Sequence, residues 1–443
     1  MHTHLDGPLF RDAFGTPETR EIFSQEGFIE RFLQVEGALA QAEADADVIP
    51  TDAADTIASE ASFSEFDVAD VERHVEPGKI FSVAILDAWR ETLPDDAARF
   101  VHWGATTQDI SDTALVLQLR EGIDAFLADL VGVREALTDL ADEHRDTPTV
   151  GRTHHVHATP VTLGLQFASW LDEVDRRIAR LDEVREGISV VECFGATGTL
   201  ASLGEDGLAV QQHLADRLAL DVPDVAWFAA RDRVAAVANA LAEAAGTLAR
   251  IARNVLLRNR PEFDELREPV PEGAVGSSTM PHKRNPVKSQ TAVGLAERVR
   301  GLAHTMTGLQ SGYDERDYAT WLVEFALVPE LALAFGRLVR NVREVVEGLE
   351  VDAAAAERNL RHHDGLVASE AVMMALADRV GKDEAHHLVH ELATEAMRSE
   401  QDFESVLLGD GRVTEHLSAA EIESLTDPEN YTGMAEQLVD RTL

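Results

Sequence analysis

Apolar side chains at Leu115, Leu119, Ile123, Phe126, Leu130, Val133, Leu137 and Leu140 recur at steps of four and three without a break. That spacing sets them along one side of a helix of 3.6 residues per turn, in a seam that continues over several heptads. Leu163, Phe167, Trp170, Val174, Ile178 and Leu181 repeat the pattern on the next long segment. Phe28, Phe32, Val35 and Leu39 do so after Ser24, a residue suited to cap a helix. Further Ala-, Leu- and Arg-rich helical stretches cover roughly 232–258 and 287–311, and no stretch alternates convincingly with period two. The spacing therefore predicts an all-α chain built on a central bundle of long helices. Helices this long often pack against other subunits, so an oligomer, a tetramer, is expected. Polar, Pro- or Gly-containing breaks at 146–162, 192–208, 221–231 and 260–286 separate the segments. A division into 1–109, 110–347 and 348–443 follows: smaller N-terminal helices, the bundle, and a closing helical unit.

Charge narrows the partners. Asp and Glu total 80 against 39 Lys and Arg, a formal charge of −41. Such a surface repels nucleic acid and anionic membranes, and its self-repulsion is relieved where salt screens it. A salt-rich cytoplasm, as in halophilic archaea, would account for this balance, with an acidic interaction surface as the alternative. Lysine occurs only at Lys79, Lys283, Lys288 and Lys382, so Lys283 stands out as retained for a local reason. Cys193 is alone, which excludes an internal disulfide and suits a reducing compartment. Met1 leads into polar residues rather than a signal peptide, and no apolar run is expected to span a membrane.

Three segments are unusually polar for a Leu- and Ala-rich helical chain. The run Gly276-Ser277-Ser278-Thr279-Met280-Pro281-His282-Lys283-Arg284-Asn285-Pro286 joins hydroxyls to flexible backbone and brings a cation and an amide donor close together. Pro286 suits the first turn of a helix, which would set Asn285 near free N–H groups that favour an anion. His102-Trp103-Gly104-Ala105-Thr106-Thr107-Gln108-Asp109 lies ahead of the first seam, and Gly151-Arg152-Thr153-His154-His155-Val156-His157-Ala158-Thr159-Pro160 ahead of the second. Either of these two alone could be helix-capping chemistry. All three in this order are far more specific.

Together they resemble the fumarase/aspartase superfamily, whose mobile loop has the form G-S-S-x-M-P-x-K-x-N-P, and the resemblance spans nearly the whole chain. It implies a three-domain all-α fold and a homotetramer with active sites shared between subunits. The implied reaction removes a proton from a carbon next to a carboxylate and passes through an aci-carboxylate. A group on the β carbon then leaves, without metal or organic cofactor. On this resemblance Ser277 is the catalytic base, with Ser278 beside it as the alternative, and His154 of the Thr153-His154 pair is an acid or part of a proton relay. Lys283 and Asn285 hold a substrate carboxylate, and Thr106, Thr107, Gln108 and His102 form the substrate-binding segment. Arg316, within Glu315-Arg316-Asp317, joins them in binding.

The segments around His102, Gly195-Ala196-Thr197-Gly198-Thr199-Leu200 and Ala13-Phe14-Gly15-Thr16-Pro17 look most like the 3-carboxy-cis,cis-muconate cycloisomerase branch. Adenylosuccinate lyase is the alternative, through Glu315-Arg316-Asp317 and His74. Tyr318, Trp321 and Phe325 stand where that branch has polar residues for its nucleotide, and Trp321 with Glu324 is nearer the cycloisomerase pattern. The implied partner is a small polycarboxylate. A non-catalytic structural member of the superfamily is disfavoured because Ser277, Lys283 and His154 are intact. The resemblance gives His154, His155 and His157 a role without metal, and His386 with His390 lacks a ligand pattern such as H-E-x-x-H and reads as a solvated helix face.

Overall fold

The computed structural model describes residues 7–63, 66–77, 80–270, 280 and 283–443. Helix holds 69% of the chain, and the described strands are short, so the fold class is all-α. Helix α1 (Gln25–Asp45) starts where Ser24 Oγ accepts the Gly27 N–H at 2.8 Å. Helix α2 (Thr107–Glu143) carries the first seam, and each of its eight apolar residues is buried. A hairpin follows, β1 (Pro148–Thr153) paired antiparallel with β2 (Val156–Thr162), and leads into α3 (Leu163–Ile188). Helices α4 (Asp232–Arg258), α5 (Val287–Gly308) and α6 (Tyr318–Glu347) complete the long set. Shorter helices run from Ala353–Leu360 to Ala435–Thr442, among them α7 (Lys382–Ser399).

Two compact units divide these residues. The first comprises Met1–Leu130, Arg177–Ala249 and Thr291–Arg340. In it α1 packs on Thr51–Ser59 and on Gly207–Leu218. Phe28, Phe81, Trp321 and Phe325 form an aromatic cluster with ring centroids 4.8 to 6.0 Å apart. The second comprises Val131–Arg176, Arg250–Gln290 and Asn341–Leu443. Its C-terminal helices close over Val372, Leu376, Leu388, Leu392, Phe403, Leu407 and Ile422.

Three expectations change. The seams of α2 and α3 are consumed within the chain, apart from half-buried Ile178, so apolar length alone does not demand a partner subunit. The break at 146–162 holds the hairpin, whose alternation is interrupted by a bulge between Val150 and Arg152. Finally, α4 does contain a window apolar and long enough to cross a membrane by composition, but 67% of it is buried inside the molecule, as in a core helix.

Candidate active site

In the first unit, His102 opens the polar segment ahead of α2 with φ 63°, a left-handed conformation that side chains rarely adopt. Its Nδ1 lies 2.6 Å from Oε1 of Glu36, which is buried on α1. Burial works against a proton on His102; the charge and hydrogen bond of Glu36 outweigh it and hold the imidazole above its usual value. Gly104 follows at φ 71°, where a Cβ would meet Leu203 Cδ2 at 2.4 Å, so only glycine fits. Asp109 accepts the N–H groups of Thr106, Phe194 and Gly195 at 2.9, 2.9 and 3.0 Å. It thereby caps the start of α2 and ties the 194–195 backbone to it. Burial lifts its carboxyl to about 7 against the pull of those three donors.

Arg316 reaches the same segment. Its Nε donates to Gln108 Oε1 at 3.0 Å and its Nη1 to Thr106 Oγ1 at 2.8 Å, while its guanidinium lies 5.4 Å from the Phe228 ring centre. The structure thus brings Thr106, Gln108 and Arg316 together. Gln108 is buried, and its Nε2 donates to Asp112 Oδ2 at 3.0 Å and to the Phe228 carbonyl at 3.1 Å. Both hydrogens of its amide are engaged by protein groups. Thr107, half-buried beside it, keeps its hydroxyl uncommitted among the described residues.

In the second unit, His154 and His155 are the two central residues of the β1–β2 turn, with Thr153 paired to Val156 on either side. Their φ values of 51° and 67° are those of a type I′ turn, which is normally filled by Asn and Gly. Two histidines in such positions store strain at an exposed tip, a pattern that belongs to functional segments. His157 turns inward on β2 and packs edge-on against His363 at 5.1 Å. Among the described residues no group of three or more His, Cys, Asp or Glu is arranged to hold a metal.

Lys283 and Asn285 line one cavity of about 660 Å³ in this unit, with Arg260, Arg267 and Asn259. Arg267 is engaged by Asp264 and Asp352, whereas the Lys283 ammonium forms no ion pair among the described residues. The N-terminus of α5 is not a free anion site: Glu268 accepts the N–H groups of Lys288 and Ser289, each at 2.9 Å, and the Ser289 hydroxyl at 2.7 Å. The expected pull of that helix end on a substrate is already spent on a buried carboxylate. Ser277 and Ser278 lie outside the described residues.

The polar groups behind these segments went unread in the sequence. Counting the first seam back from Leu115 by threes reaches Asp112 and Asp109. The α1 seam likewise passes through Glu36 and Glu43. Carboxylates at seam positions were the available signal, and all four are buried. Asp112 pairs with Arg231 at 2.8 Å, and Arg231 in turn with Glu324; all three side chains are fully buried.

Residues 13–301 match the family model described as Lyase, and residues 365–442 match the one described as Adenylosuccinate lyase C-terminus. The chain belongs to the fumarase/aspartase superfamily of lyases. It is 37% identical to the N-acetyl-S-(2-succino)cysteine lyase of Dickeya dadantii, over 100% of this chain and 98% of that one. It is 39% identical to the 3-carboxy-cis,cis-muconate cycloisomerase of Pseudomonas aeruginosa, over 98% and 95%. The solved 3-carboxy-cis,cis-muconate lactonizing enzyme of Pseudomonas putida superposes with a TM-score of 0.92 at 37% identity, covering 98% of each chain.

As a member of this superfamily the chain is an enzyme, and the aromatic residues that follow Arg316 do not sit where the branch resemblance implied. Trp321 is 2% exposed and donates through Nε1 to Asp112 Oδ1 at 2.8 Å, while Phe325 packs among Phe28, Phe81 and Trp321. These rings are core and do not replace a nucleotide-holding surface. Only Tyr318 of the three is exposed.

Proposed function

We propose that the chain acts on a polycarboxylate in the manner of a 3-carboxy-cis,cis-muconate cycloisomerase. The observation that carries this reading is the joining of Arg316 to Thr106 and Gln108 beside the uncommitted hydroxyl of Thr107. A fixed guanidinium with hydroxyls at its edge suits a carboxylate. Lys283 and Asn285 supply a second such station in their own unit. In the forward direction one carboxylate oxygen of the substrate bonds to the β carbon of a double bond. The displaced electron pair moves into the neighbouring carboxylate as an aci-carboxylate. Lys283 and Asn285 stabilise that dianion more than the ground state. The Ser277 hydroxyl then delivers a proton to the α carbon, and the lactone is closed. Reversal gives the superfamily's elimination, with Ser277 as base and His154 relaying the proton. The reading extends to a homotetramer whose sites take residues from different chains, with 110–347 as the assembling part, in a salt-rich cytoplasm.

A second reading is favoured by the similarity to the Dickeya lyase, namely elimination of a thiol from a succino thioether. Elimination of a nucleotide amine is its counterpart, favoured by the match at residues 365–442. Purified protein in molar salt should bleach the absorbance of 3-carboxy-cis,cis-muconate, and Ser277→Ala should slow this about a hundredfold or more. Fumarate release from N-acetyl-S-(2-succino)cysteine or adenylosuccinate, with the muconate untouched, would overturn the substrate.

A further inference from the structure

Gln108 touches three protein groups. Its neighbours fix which end of the amide is which, because the Asp112 carboxylate and the Phe228 carbonyl can only accept. Nε2 must face them, and Oε1 must face Arg316 Nε, 3.0 Å away. Asp112 is fixed just as firmly. Its Oδ1 accepts from Trp321 Nε1 at 2.8 Å and Arg231 Nη2 at 3.1 Å, and its Oδ2 from Arg231 Nη1 at 2.8 Å and Gln108 Nε2 at 3.0 Å. Arg231 is held from its other side by Glu324, with Nε to Oε1 at 2.9 Å and Nη2 to Oε2 at 2.5 Å. Every side chain behind Arg316 in this chain is buried. Arg316 is the first member of it that is not.

We infer that Gln108 and Asp112 are positioning residues: they set the aim of Arg316 and do not themselves hold the substrate. With Nε bound to Gln108 and Nη1 to Thr106, the guanidinium plane is determined, and Nη2 is the corner left for a ligand carboxylate. An arginine held in one orientation loses less freedom on binding than one that must be ordered first. Trp321 and Glu324, which belong to the core, gain a role here. Trp321 donates to Asp112 directly and Glu324 acts on it through Arg231, so a change at either position re-aims the cation without touching the ligand.

The inference rests on Arg316 being a substrate-binding residue, and a double-mutant cycle separates the two claims. Arg316→Ala, Gln108→Met and the double variant are assayed in molar salt on 3-carboxy-cis,cis-muconate and, in parallel, N-acetyl-S-(2-succino)cysteine. Gln108→Met should lower kcat/KM about tenfold or more, chiefly through KM, and should cost less than about twofold once Arg316 is already alanine. Trp321→Phe keeps the packing and removes one donor to Asp112. It should show a smaller rise in KM that also vanishes in the Arg316→Ala background, and it serves if Gln108→Met fails to fold. Independent, multiplying losses would overturn the inference while leaving Arg316 in place, because Gln108 would then act on the substrate itself. An unaltered KM in Gln108→Met beside a damaged Arg316→Ala would overturn it equally. Full activity in Arg316→Ala would instead sink the reading of Arg316 as a substrate residue.

Discussion

Burial works to strip the proton from His102, and Glu36 more than reverses this through charge and a hydrogen bond at 2.6 Å. A histidine whose folded value is raised contributes stability below its unfolded value, and this is lost as pH rises through the folded one. Glu36→Gln removes the charge and keeps the shape, so the imidazolium should be lost at lower pH. The alkaline limb of kcat/KM, and of thermal stability, should move to lower pH in that variant; unchanged limbs would detach His102 from both. Glu43, one heptad further along α1, shifts the same way for a different reason. Burial, and then the charge of Glu36, raise its carboxyl to about 9, and neither of its oxygens has a hydrogen-bond partner among the described residues. The folded state therefore keeps a proton that the unfolded chain releases above its ordinary value of 4.5, and stability falls as pH rises from there to about 9. Glu43→Gln should stabilise by something on the order of a few kcal/mol at pH 8 and by almost nothing at pH 4. Denaturant melts at the two pH values check this, and an equal effect at both would show that Glu43 is ionised in the fold.

At the scale of elements, the hairpin is where local preference and use conflict most openly. A two-residue turn with both φ values positive is best filled by Asn and Gly, yet His154 and His155 occupy it. Replacing the pair by Asn-Gly should raise the melting temperature by a few degrees, since strain is relieved. Turnover should fall by about two decades or more if His154 relays a proton. Retained activity would make the turn merely a turn. The same hairpin shows what was legible in the sequence. Helices announce themselves by seams, and α2 appears where Leu115 to Leu140 place it. The strands were hidden because Gly151 sits at a bulge and the turn lacks its usual residues. Thr106, Lys283 and Asn285 were noticeable because their segments resemble a motif that keeps particular side chains at fixed spacing. The carboxylates behind them were not, since Asp112 finds Arg231 and Trp321 across 119 and 209 positions of chain. Long-range pairs of that kind leave no local period.

For the whole molecule, charge and the sharing of sites meet in one experiment. Each chain carries a formal −41, and a tetramer would bring four such charges together. The Debye length is about 3 Å at 1 M salt and about 30 Å at 0.01 M, so repulsion between subunits is silent in the first case and felt in the second. Dilution into low salt should therefore loosen the assembly and let subunits exchange, which light scattering can follow. Arg316 belongs to the first compact unit and Lys283 to the second. If a site draws them from different chains, Arg316→Ala and Lys283→Ala are complementary lesions. Mixed in low salt and returned to molar salt, equal amounts of the two nearly inactive proteins would give about one site in four with both residues intact. About a quarter of the normal activity should then return. Were both residues supplied by a single chain, every site in the mixture would lack one of them and no activity would return. Mass spectrometry of the mixture shows whether hybrids have formed, so silence from confirmed hybrids would count against shared sites rather than against exchange.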